Sequence, residues 1–199
     1  MWPPADTIVH DDVDLRFKMT GAGWANLELR VGDQELLIDG FSDLENSFHD
    51  VAFAALSAAS SGGQGFHRFA LNGEPTEWRW TVNSMFRQGC GYYSHVLVEE
   101  FPDDNHMRVD EEGRYVPRSK PNPGRVVFSA FCSSDSFAKA VRTAYEPLEA
   151  MGAKQFEEKW RWSPFPVRTL AALDAAMLTP RRWSDPKPLA RPLHVIAKK

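Results

Sequence analysis

Few of the residues able to do chemistry stand at spacings that would let them act together. Two cysteines, Cys90 and Cys132, and six histidines, His10, His49, His67, His95, His106 and His194, are the thiol and imidazole donors. No two histidines stand three or four residues apart, so no helical face presents a ready pair of metal ligands. Cys90 and His95 make the nearest Cys–His approach. A thiolate at Cys90 activated by His95, with Asp103 or Asp104 orienting the ring, would give a small hydrolase or transferase. A serine beside the long 102–124 connection would serve the same chemistry. Against this, residues 90 and 95 are an odd number apart and face opposite sides of an extended strand. Cys132 ends an apolar run and reads as a small core residue.

The remaining short motifs fare no better. His49-Asp50 has the form of the central dipeptide of a metal-dependent phosphohydrolase, but the further His and Asp ligands of such a site are missing at usable spacing. His49 reads instead as the boundary of an apolar helical stripe. Gly21-Ala22-Gly23-Trp24 precedes a strand, so a pyrophosphate would meet no helix N-terminus. Gly62-Gly63-Gln64-Gly65 lacks the Lys-Ser/Thr of a phosphate loop. Ser133-Ser134-Asp135-Ser136 is a helix cap before it is a nucleophile. The expectation is a chain with no catalytic residue, no cofactor and no metal.

Charge is distributed more tellingly. Residues 99–112 hold Glu99, Glu100, Asp103, Asp104, Asp110, Glu111 and Glu112 against the single base Arg108. Residues 1–14 hold Asp6, Asp11, Asp12 and Asp14 with no Lys or Arg, whereas Arg181, Arg182, Lys187, Arg191, Lys198 and Lys199 follow Pro180 against Asp185. On a formal charge of −4, such asymmetry points to charged partners. The seven acids of 99–112 are therefore the expected partner-binding surface. Trp160-Arg161-Trp162 and Arg181-Arg182-Trp183 interleave residue types that stack bases, but the net negative charge weighs against a nucleic-acid partner. Trp160 and Trp162 are expected to pack helices, with the Arg161 stem covering them.

These residues need a scaffold, and 199 residues with 43% hydrophobic and 25% charged content suffice for one well-filled core. Two cysteines exclude a disulfide framework and suit a reducing compartment. No apolar run approaches the roughly 18 residues of a membrane span, and the first residues lack the basic and apolar regions of a secretory signal. A cytoplasmic location is expected.

Trp24–Arg30 alternates, Gly32-Asp33 supplies a turn, and Glu35–Ile38 continues as the partner strand; a bulge is expected near Ala25. Ser42-Asp43-Leu44-Glu45 fits a capping box opening a helix whose stripe includes Phe48, Val51, Ala52, Ala55, Leu56 and Ala59. Ser60 to Gly63 should end it. Phe69 and Leu71 lead into Asn72-Gly73, a two-residue hairpin signal, and Pro75 argues for an extended exit at Glu74. Thr76–Val82 alternates most cleanly. Tyr92–Phe101 and Arg125–Phe131 are further strands, separated by the long polar connection 102–124. Two helices follow, one through Phe137, Val141, Ala144, Tyr145, Leu148 and Met151, one through Leu170, Leu173 and Met177. Pro147 should kink or end the first. The sequence therefore predicts one α+β domain over 1–179, a mostly antiparallel sheet of five to six strands with three helices on one face. Residues 180–199 read as an extended, proline-rich basic arm.

Gly23-Trp24-x-Asn26-Leu27, the capped helix, and Phe69-x-Leu71-Asn72-Gly73-Glu74-Pro75-x-Glu77-Trp78-Arg79-Trp80 together resemble small α+β immunity-type proteins encoded beside bacterial polymorphic toxins. The resemblance spans the central two-thirds of the chain. It implies a stoichiometric, non-catalytic inhibitor that occludes a toxin's active site. An acidic 99–112 segment fits that expectation, since it would steer a basic toxin into fast association and mimic phosphate. The alternatives are the Cys90 or serine hydrolase above, and a structural protein that oligomerises by exchanging its C-terminal arm.

Overall fold

Two-residue alternation folds the first part of the chain into a three-stranded meander, seen in a computed structural model that describes residues 7–42, 46–60, 64–87, 91–102, 107–109, 112, 115–117, 123–161 and 163–179. Its strands are β1 (Val13–Gly21), β2 (Trp24–Val31) and β3 (Gln34–Ser42), antiparallel in that order. Leu15, Leu27, Leu29, Val31, Leu36 and Ile38 are buried on one face, while Arg16, Glu28, Arg30 and Glu35 turn to the other. β1 was not expected, although Val13, Leu15, Phe17 and Met19 alternate as plainly as its neighbours. The expected bulge is present: the register slips between Ala25 and Leu27, with the extra residue on β3, where Gly40 takes φ 88°. Asn26 stitches it, donating to Asp39 at 2.8 Å and accepting from the Gly40 amide at 3.1 Å.

Helix α1 (Ser47–Ser60) follows. It starts later than the capping box suggests: Ser42 is the buried last residue of β3, and Asp43 to Glu45 lie outside the described residues. The second sheet has the order β4 (Gln64–Asn72), β5 (Glu77–Arg87), β6 (Gly91–Phe101) and β9 (Arg125–Ser133), all antiparallel. The 102–124 connection is not structureless. It contains a two-stranded ribbon, β7 (Met107–Val109) with β8 (Tyr115–Pro117). The turn at Asn72-Gly73 is also not a two-residue hairpin, because Asn72 pairs with Glu77 across four loop residues. The Gly73 amide donates to the Thr76 carbonyl at 2.6 Å, and Asn72 Oδ1 accepts from the Glu74 amide at 3.1 Å. Glu74 sits at φ 38°, so the extended exit expected there is replaced by a left-handed one.

Three more helices complete the described chain: α2 (Ser134–Met151), α3 (Ala153–Trp160) and α4 (Val167–Leu178). Ser133 caps α2 by accepting from the Ser136 amide. α2 does not end at Pro147, which lies exposed within it. The α+β class and the antiparallel pairing are as the sequence implies; the strands divide between two sheets, and the arm 180–199 lies outside the described residues. No described helix is long and apolar enough to cross a membrane.

The core joins both sheets to α1, α2, α3 and α4. At its centre the Phe48 ring lies 4.5 Å from Trp160, 4.8 Å from Phe17 and 5.4 Å from Phe156, mostly edge to face. Burying each such side chain contributes about 1.5–3 kcal/mol. Tyr145, fully buried, donates its hydroxyl to the Phe48 carbonyl. Arg142 of α2 clamps α4 through Asp174 at 2.8 Å and also pairs with Glu149 at 2.8 Å.

Candidate functional site

The helices pack against one face of the second sheet, where Trp78, Trp80, Val82, Val96, Val98, Phe128 and Ala130 are buried. Strand alternation sends their neighbours to the opposite face. There the register aligns Phe66, Asn83, His95 and Phe131 in one row across the strands. Arg68, Thr81, Leu97 and Ser129 form the next, and Ala70, Arg79, Glu99 and Val126 the third. All twelve are exposed or half-buried. This open face is the candidate site.

Its cations are held in place by aromatic rings. The Arg79 guanidinium lies 4.1 Å over the Phe101 ring, and its Nε donates to the Glu77 carboxylate. The Arg68 guanidinium lies 5.7 Å over Phe66, and its Nε donates to Thr81 Oγ1 at 3.3 Å. Guanidinium–ring stacking fixes the orientation of each cation while leaving N–H donors for a partner. Between them is a shallow hollow of about 270 Å³ beside Ala70, walled by Arg68, Glu77, Arg79, Glu99 and Phe101. The small Ala70 side chain is what leaves the space.

The expected acidic surface is divided by the strand. Glu99 stands on the open face opposite Arg79. Glu100 points the other way and is ion-paired to Arg125 at 2.5 Å, so its charge is already met. Glu112 is exposed in the turn between β7 and β8. Asp103, Asp104, Asp110 and Glu111 lie outside the described residues, as does Cys90.

His95 is half-buried, and burial pushes its pKa below the usual imidazole range. Its ring stacks on Phe131 at 4.3 Å with planes 11° apart, and Nε2 lies 2.9 Å from Ser129 Oγ. A neutral imidazole hydrogen-bonded to a serine hydroxyl is the base–nucleophile half of an acyl-transfer site. Cys132 faces the core instead; burial, reinforced by Asp11, pushes its thiol up to about 12, which removes the thiolate needed for attack. Beneath the sheet, Ser84, Ser94 and Ser134 form a buried hydroxyl chain with links of 2.7 and 2.8 Å. It satisfies polar atoms where β5, β6 and α2 meet.

His49 and Asp50 lie on α1, their side chains 4.0 Å apart. Among the described residues no three His, Cys, Asp or Glu side chains are placed to hold a metal ion. Trp160 is fully buried in the aromatic core, as expected; Trp162 lies outside the described side chains. Sequence reasoning missed Phe66, Arg68, Arg79 and Ser129. The signal for Arg79 was present in the alternation of Glu77, Arg79 and Thr81 opposite two tryptophans, whereas the cross-strand rows needed the register. Comparison of the chain with protein-family models, curated proteins and solved structures found no match.

Proposed function

We propose that the chain is a cytoplasmic protein-binding module acting stoichiometrically, with the open face of the second sheet as its contact surface. The observation that carries this reading is the pair of arginine–aromatic stacks, Arg79 on Phe101 and Arg68 on Phe66, flanking a hollow on a sheet face the helices leave uncovered. Arginine and aromatic side chains dominate the energetics of protein interfaces, and pre-oriented ones lose less entropy on binding. The resemblance to immunity-type proteins gives the reading its particular form: occlusion of a cognate basic toxin domain in bacteria. Glu99 and the acids of the 102–124 connection then supply the steering charge. The test is co-purification of the intact chain with proteins of its host, in parallel with a Phe66→Ala/Arg79→Ala double variant of unchanged circular dichroism. Capture of one stoichiometric partner by the native chain, and its loss from the variant, is the expected result. Equal capture by both removes this face from the interface.

A second reading has one observation in its favour. The Ser129 Oγ–His95 Nε2 approach of 2.9 Å is hydrogen-bonded reach for a serine hydrolase or transferase, and Ser129 follows closely on the 102–124 connection. Its discriminating experiment is labelling with a fluorophosphonate. Modification at Ser129, lost in His95→Gln, would favour the enzyme; an unlabelled native chain would remove it.

A further inference from the structure

We propose that His67 is a proton-sensitive latch between α1 and the edge strand β4, holding the two together while its ring is neutral and loosening them when it takes a proton. Among the described residues β4 pairs on one side only, with β5, so its grip on the helical layer rests on side chains. His67 faces that layer, in register with the buried Val82. Its ring sits between Phe53 of α1, 5.0 Å away, and Phe69, 5.6 Å away. The column continues to Trp80, 5.5 Å beyond Phe69, and outward to His49, 6.2 Å beyond Phe53. Nε2 of His67 is buried and has no hydrogen-bond partner among the described residues.

A neutral imidazole can leave one ring nitrogen unbonded against hydrocarbon. An imidazolium cannot do so cheaply, because both nitrogens become donors and the charge must be solvated. Among the described residues the charged and titratable groups around it are few. α1 supplies Asp50 and His49; β5 supplies the apolar Val82 and Trp80 on that face; Arg168 of α4 lines the groove that begins at His49. Asp50 is the one carboxylate among them, itself 30% exposed and held above its usual range by burial. His49, when charged, opposes a further cation.

Burial accordingly holds His67 below the ordinary imidazole value of 6.5, Asp50 pulling it back up and His49 pushing it further down. Below 6.5 the unfolded or locally opened chain therefore binds more protons than the closed one. The stabilisation is complete above that value and is lost as pH falls, by at most about tenfold in the closed-to-open ratio per pH unit. Phe53 is 43% exposed, so the column already borders solvent and can open without disturbing the core around Phe48.

The experiment uses the full chain. The imidazole of His67 is titrated by NMR, and amide exchange of 51–60 and 64–72 is compared with that of 91–101 near pH 7.5 and near pH 5.5. His67 is expected to titrate below 6.5, and protection of the α1–β4 amides to fall up to about tenfold relative to β6 on acidification. His67→Phe, which keeps a ring but no proton acceptor, should abolish that selective loss, and Asp50→Asn should deepen it. Titration of His67 at or above 6.5, or an unchanged selective loss in His67→Phe, overturns the latch. Should His67→Phe fail to fold, the titration of the native chain decides alone.

Discussion

Cys132 offers a prediction in which electrostatics and packing pull in opposite directions. Its thiol is pushed up to about 12 from an ordinary 9.0, because the side chain is fully buried and Asp11 lies near. Between those values the unfolded chain has released the proton and the native chain has kept it. Each pH unit above 9 therefore favours unfolding by about 1.4 kcal/mol, so roughly 2 kcal/mol is lost by about pH 10.5 and roughly 4 kcal/mol by about pH 12. Below 9 the contribution is complete and flat. Cys132→Ala removes this dependence and in exchange leaves a small void worth about 1 kcal/mol. In a Cys90→Ser background, where Cys132 is the remaining thiol, the alanine variant should be less stable by about 1 kcal/mol near pH 8 and more stable by about 1 kcal/mol near pH 10.5. Urea unfolding followed by tryptophan fluorescence, under a reductant, measures both. Tyr145, also raised by burial, titrates in both proteins and drops out of the difference. A stability difference that keeps its sign and size across the two pH values would refute the reasoning. It would mean that the thiol ionises freely in the fold and would reopen Cys132 as a nucleophile.

Three further outcomes are expected. Tyr145→Phe should cost about 0.5–1.5 kcal/mol in urea unfolding, since it removes the buried hydroxyl's hydrogen bond to the Phe48 carbonyl. Gly73→Ala should cost about 1–3 kcal/mol, because a β-carbon there would fall 2.7 Å from the Gly40 carbonyl oxygen and clash with the edge of the Trp78 ring; an unchanged thermal midpoint would show that the contact of the β4–β5 loop with β3 yields. In stopped-flow association with the captured partner, Glu99→Gln should slow the on-rate several-fold at low salt and flatten its salt dependence, whereas Glu100→Gln should leave it within about twofold, its charge being spent on Arg125. Equal effects of the two would place the electrostatic contact elsewhere than the open face.

Local periodicity made much of the fold legible. β5 could be read from Trp78, Trp80 and Val82 because one buried face imposes period two, and α2 from Phe137, Val141, Tyr145 and Leu148 because one buried stripe imposes period 3.6. Elements failed where a stronger local pattern hid them. The acids Asp11, Asp12 and Asp14 drew the first residues toward a charged segment, although Leu15 and Phe17 mark β1. Asn72-Gly73 has the chemistry of a tight hairpin, yet the loop is four residues long because register is set by pairing along all of β4 and β5. The site was the least legible part. Glu99 and Glu100 look equivalent in sequence, and only the strand's two-sidedness separates a surface acid from a paired one. Phe66, His95 and Phe131 lie far apart in sequence and become one row through three strand pairings.

That separation bears on how the protein can change without unfolding. The two faces of the second sheet do different work: tryptophans and valines on the inner face carry the core, while Arg68, Arg79 and Ser129 on the outer face are held by partners on the same face. Arg79 covers Phe101 and pairs with Glu77, whose side chain is 20% exposed, so its removal loses one stack and one half-buried ion pair and should cost about 1–2 kcal/mol. The inner residue beside it, Trp80, is 1% exposed, and truncating it should cost about 3–5 kcal/mol. Adjacent residues on one strand are thus decoupled in energy by the pleat. A binding surface built this way can vary its charges and rings from one partner to another while the alternation beneath keeps the scaffold fixed.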